Sequence, residues 1–258
     1  MTERRITPAK SLAGGLTWAR RAWVLMACVS GVMLTLSVGF YLYLAFVSYV
    51  VEKTGSAFRT GAESPLFQAM LEVTGPFDLS LAVLQALTIL FFLCWIWLSV
   101  RLANAVRRDS VRYTPWMAIV GFFIPVANLW MPLYTLIDLE DFAAESESRA
   151  VSSIPWYPAG IVLSAILAFG LMRIVGDAPV DGFSDPAASQ RLMQVAAVGA
   201  IAHLVLLMLT YAYMHAVSPG LELALRELAE AEGLVSTASL PDDSAPSRSA
   251  DDFSGANP

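Results

Sequence analysis

Charge is what this sequence has least of. Only 15% of its 258 residues are Asp, Glu, Lys or Arg, while 57% are hydrophobic; soluble domains carry about a quarter charged residues. That balance excludes an ordinary soluble globular fold and points to a chain whose solvent is lipid. Histidine and cysteine each occur twice, and Cys28 and Cys94 both fall inside apolar runs. They read as small buried hydrophobes, so neither a disulfide framework nor a metal knuckle has its parts. Also missing are Gly-x-Ser-x-Gly, His-Glu-x-x-His, a glycine-rich phosphate loop and paired carboxylates within an apolar segment. Without them no hydrolase, metalloprotease or nucleotide-driven mechanism is assembled. The expectation is a protein that is not an enzyme and uses no cofactor and no metal.

The net charge is −6, and its location matters. From Pro219 onward Glu222, Glu227, Glu230, Glu232, Asp242, Asp243, Asp251 and Asp252 face only Arg226 and Arg248, so the whole deficit sits in the tail. An acidic tail does not suit nucleic acid, and no such partner is expected.

What the sequence has in excess is apolar length. Residues 1–21 form a basic segment with Arg4, Arg5, Lys10, Arg20 and Arg21, and residues 22–51 then run without a formal charge. A signal-peptide core spans about 7 to 15 residues, so this run reads as a retained anchor, its basic flank in the cytoplasm. Ser64-Pro65 opens a short surface helix that Gly75 stops, before a second span at 79–103. That span ends in Trp95, Trp97 and a basic loop, the signature of a cytoplasmic face. Further spans are expected at 156–175 and 192–217. The chain is thus read as an all-α polytopic membrane helix bundle over residues 22–217, with four clear transmembrane helices. Residues 218–258 follow as an amphipathic helix and an acidic disordered tail.

The organising stretch is Arg112 to Pro132, RYTPWMAIVGFFIPVANLWMP. Pro125 frees the carbonyl of Gly121 and Pro132 that of Asn128, whose own amide also needs a partner. In hydrocarbon such groups cost several kcal/mol each, so the segment faces other helices or a wet cavity. Residues 115–137 form a Pro-broken helix that is either a fifth span or re-entrant. The lysine and arginine excess at the basic end is the same in both geometries, which leaves the side of the C-terminus open.

The run from Trp97 to Glu140 resembles the bacterial integral-membrane family known as domain of unknown function 4328. Trp97 and Asn104 match its first pair, and Tyr113, Thr114 and Pro115 its turn. Phe123, Ile124, Pro125, Asn128, Leu129, Trp130 and Pro132 match its core motif. Met131 departs from it, standing where the family usually has a basic residue. The resemblance implies a bacterial inner-membrane location and a bundle architecture, and no activity.

Several residues invite chemistry. Gly121, Pro125, Asn128 and Pro132, with His203 in mid-bilayer on the last span, make a candidate polar intramembrane site. Arg107, Arg108 and Arg112 are candidate headgroup contacts. Asp138, Asp141 and Glu145 share a helix face that can gather a cation, although acidic runs are usually only solvated. Ala27-x-x-x-Gly31 and Ala196-x-x-x-Ala200 are small-residue pairs suited to close helix approach. Two functions compete. One is a non-enzymatic scaffold in the lipid bilayer whose C-terminal tail and amphipathic helix meet a protein partner. The other is a small transporter or channel subunit using the site around Asn128 and His203.

Overall fold

A thirty-residue apolar run preceded by alternating small and apolar residues has nothing in it to stop a helix, and none stops. In the computed structural model, which describes residues 9–54, 65–108, 110–124, 130–148, 156–176 and 186–238, helix α1 spans Ala9–Thr54. Its 46 residues make about 69 Å, more than twice the roughly 30 Å hydrocarbon layer. The basic N-terminal stretch is therefore helical from Ala9 and extends the first span beyond the membrane. Helix α2 runs Pro65–Val106, α3 Pro115–Val120, α4 Met131–Ser146, α5 Trp156–Gly176 and α6 Pro186–Ala238. No strand occurs among the described residues, and four helices are long and apolar enough to cross a membrane: α1, α2, α5 and α6.

Two boundaries and one burial differ from expectation. The stop at Gly75 is overridden, since α2 continues through Gly75 and Pro76. A proline inside a membrane helix is tolerated where neighbouring groups compensate it; in the turn that follows, the Ser80 hydroxyl bonds back to the Pro76 carbonyl at 2.8 Å. Likewise α6 passes through Pro219 without a break, so the stretch after it is no separate helix. One residue before Pro219, the Ser218 hydroxyl bonds back to the Met214 carbonyl. Cys28 is exposed and not buried, because α1 is flanked on one side only, while Cys94 is half-buried.

Two antiparallel helices form the spine. At one end the backbone N–H of Ala9 donates to both carboxylate oxygens of Glu232 at 3.0 Å. Near the other end the Ser48 hydroxyl donates to that of Ser189 at 3.5 Å. Residues 9 to 48 cover about 60 Å, so α1 and α6 stay paired over twice the membrane thickness. Glu232 also places negative charge on the exposed N–H groups of α1, a favourable end for a helix dipole.

Both termini of the described chain thus lie at one end of the bundle, as an even number of crossings requires. The Pro-broken segment explains the count. Its first turn, α3, is capped by the Thr114 hydroxyl, which accepts from Met117 N–H, with Pro115 at the first helical position. The helix lasts six residues. At its end Gly121 lies so close to Met131 that an added Cβ would sit 2.7 Å from the Met131 Cβ. Residues ten apart in sequence touch, so the chain folds back there. The segment doubles back as a hairpin, and neither of its arms is among the helices long and apolar enough to cross a membrane.

Its returning arm, α4, packs against α2, α5 and α6. Where α4 crosses α6, the Ala143 backbone occupies the space that a side chain at position 220 would need, and Gly220 leaves it free. Leu221, Ala224 and Leu228 join Ala9, Leu12 and Leu16 in the main core, together with Leu139 and Phe142 of α4. The amphipathic stretch expected to face a partner therefore buries its apolar face in its own chain.

Candidate functional site

Helix α2 leans on α1, and α5 leans on α6. Between α2 and α5 lies a cavity of about 560 Å³. Thr88 and Phe92 line it from α2, Ile161 and Ala165 from α5, Trp23 and Leu207 from the spine. The hairpin closes one end with Phe122, Pro132 and Leu136. Its rim residues Ile89, Phe123, Ile166 and Phe169 are exposed. The cleft thus opens sideways between the two helices, past an apolar rim.

A second, smaller cavity of about 40 Å³ adjoins it, sharing Thr88, Ile89, Phe169, Leu206 and Leu207 as walls. This one is polar. Ser30 of α1, Gln85 and Thr88 of α2 and His203 of α6 surround it. Thr88 donates to the Leu84 carbonyl at 2.8 Å, so its single hydroxyl proton is spent. The 3.3 Å contact between Ser30 and Thr88 hydroxyls must then have Ser30 as donor. His203 is 5% exposed, and its Nδ1 is buried without a hydrogen-bond partner among the described residues. The ring stands edge-on to Phe169, centroids 5.0 Å apart. Aromatic walls hold the imidazole in place while one nitrogen is left unanswered.

The sequence-derived candidates separate. Pro132 lines the cleft and His203 the nook beside it, so the fold does bring these two to adjoining spaces. Gly121 is buried behind Met131 and shapes the hairpin without lining either space. Pro125 and Asn128 lie outside the described residues. Met131 serves here as packing against Gly121, which accounts for an apolar residue at that position. Arg107 and Arg112 turn toward α4: Arg107 meets Glu145 at 2.7 Å and Arg112 meets Asp138 at 3.3 Å. Arg107 also lies over the Phe142 ring and Arg112 over that of Tyr134. Arg108 is exposed.

The acidic face of α4 is thereby a latch. Asp138, 6% exposed, also accepts the Arg112 backbone N–H at 2.9 Å. Burial holds its carboxyl above the usual range, against the opposing pull of Arg112. Asp141 is raised as well, first by burial and then by its neighbours Asp138 and Glu145. Among the described residues no group of three or more His, Cys, Asp or Glu could hold a metal ion. The expected cation face is occupied by arginines. Of the small-residue pairs, Ala196 and Ala200 are fully buried in the bundle, while Gly31 faces open space.

The walls of α2 and α5 escape sequence reading, because Phe92, Ile161 and Phe169 look like any span residue. One signal was available: Gln85 and Thr88 sit one turn apart inside an apolar span, facing Ser30 of the first. No curated protein and no solved structure matches the chain. A family model described as Domain of unknown function (DUF4328) matches residues 62–217, which takes in the second to fourth spans, the hairpin and His203. With more than half of its length matched, the chain belongs to that family.

Proposed function

We propose that this is a non-enzymatic, multi-pass protein of a bacterial inner membrane that receives a lipophilic molecule from the bilayer in the cleft between α2 and α5. The observation that carries the reading is the cleft itself: about 560 Å³, apolar, and rimmed by exposed Ile89, Phe123, Ile166 and Phe169. Ligand sites typically enclose about 300 to 1,000 Å³ with few polar groups. The reading keeps the polar intramembrane site of a small transporter and places its entrance on the lipid side. A scaffold acting through the helix after Pro219 is less favoured, since Leu221, Ala224 and Leu228 are already covered by this chain.

The basic end supports a cytoplasmic placement of both termini. Lys10, Arg20, Arg21, Arg101, Arg107, Arg108 and Arg112 gather there, while Lys53, Arg173 and Arg191 lie toward the opposite end. The test uses the full chain in phosphatidylcholine nanodiscs and brominated dodecane, whose heavy atom quenches nearby tryptophan. Trp23 in the cleft wall should be quenched saturably, and Ala165→Phe, which fills the cleft, should abolish the saturable part. Quenching that rises linearly with probe and ignores Ala165→Phe would overturn the reading.

A further inference from the structure

Resting on that reading, we infer that the nook at His203 is the head site of the cleft, and that its ligand is a neutral lipid-soluble molecule ending in one small oxygen group, a carbonyl or a hydroxyl. Five observations converge. His203 offers a buried Nδ1 with no partner among the described residues, a state that folding tolerates poorly unless something arrives to pair it. The hydroxyl protons of Thr88 and Ser30 are both committed, to Leu84 and to Thr88. The imidazole, with the Gln85 carboxamide beside it, is thus left to recognise a ligand, by donating to a carbonyl or accepting from a hydroxyl, according to tautomer.

Size and charge narrow the head. About 40 Å³ is room for a few waters, each needing roughly 10 to 15 Å³ of such space, so a small oxygen group and its carbon fit. No Asp, Glu, Lys or Arg lines either cavity, so an ionised head would be desolvated without a counter-charge. Phospholipid headgroups and carboxylates are excluded on that ground. Continuity decides the rest: the nook shares five walls with the apolar cleft, so a tail leaving the head passes directly into it.

The chain has two histidines, and in a His215→Gln background a single imidazole reports. With 15N-labelled histidine and the full chain in phosphatidylcholine nanodiscs, dodecanol and dodecanone should each shift the His203 nitrogens saturably, while dodecane and dodecanoate should not. Quenching by brominated dodecanol should weaken about tenfold in His203→Leu, as expected when a buried polar contact is lost, and recover in His203→Gln. Quenching by brominated dodecane should be the same in all three. If dodecanol at saturation leaves the imidazole signal unmoved, the nook holds water only and the head site is wrong. If dodecanoate acts like dodecanol, the neutrality of the ligand is wrong. Either result, with brominated dodecane still binding, leaves the cleft in place; loss of alkane binding removes both readings. An unchanged unfolding temperature in His203→Gln separates recognition from folding.

Discussion

The Tyr213 hydroxyl donates to the Leu136 carbonyl at 2.8 Å, across 77 residues of sequence, and both residues are fully buried. This bond pins the returning arm of the hairpin to α6 one helical turn past Pro132, at a residue that itself lines the cleft. The same ring meets Trp95 edge-on, centroids 6.2 Å apart, so α2, α4 and α6 converge on one side chain. Closure of the cleft at its hairpin end rests on that convergence.

Removing only the hydroxyl separates the bond from the packing. Tyr213→Phe should destabilise the folded chain by about 1 kcal/mol, the usual net worth of such a bond, since Trp95 keeps its contact. Tyr213→Ala should cost about 3 to 5 kcal/mol through the cavity it opens at the junction. Urea unfolding in micelles, followed by tryptophan fluorescence, measures both. Equal losses for the two variants would mean that the hydroxyl, and not the ring, holds the junction.

The α4 latch makes stability depend on pH in a direction that its burial dictates. Asp138 and Asp141 hold their protons in the folded chain to a higher pH than the ordinary 3.8. Above that value and up to the raised ones, the folded state binds more protons than the unfolded state, so stability falls as pH climbs and levels off once both carboxyls are ionised in both states. Unfolding temperatures from about pH 4 to about pH 7 should decline, and Asp138→Asn with Asp141→Asn should flatten the decline. Asp138→Asn alone keeps an oxygen for the Arg112 N–H, so its cost at neutral pH should stay within about 1 kcal/mol. A rise in stability across the same interval would contradict the assignment.

The four spans are legible in the sequence because membrane crossing depends on length and apolarity, which are local. The hairpin is legible only as an alternative. Pro125 and Asn128 announce a broken helix, but whether the chain returns depends on Gly121 meeting Met131 and on Arg112 meeting Asp138, contacts that no pattern of residues displays. Arginines near a membrane read as headgroup contacts for the same reason, since their partners on α4 are brought in by the fold. His203 stands out because a titratable residue in a span is rare. Its surroundings do not, because Ser30, Gln85 and Thr88 come from two other helices.

The pairing of Ala9 with Glu232 fixes a topology that can be read from outside the membrane. A hairpin entering and leaving at the basic end gives four crossings, so Arg108 and Glu230 share a face and Glu52 lies on the other. Arg108, Glu230 and Glu52 are all exposed, so a thiol there is reachable. In a Cys28→Ala, Cys94→Ala background, a membrane-impermeant maleimide on intact cells should label Glu52→Cys, and should label Arg108→Cys and Glu230→Cys only after permeabilisation. A fifth crossing would move Glu230 to the side of Glu52 and separate it from Arg108. Labelling of Glu230→Cys in intact cells, with Arg108→Cys protected, would therefore break the α1–α6 pairing and, with it, the spine against which the cleft is built.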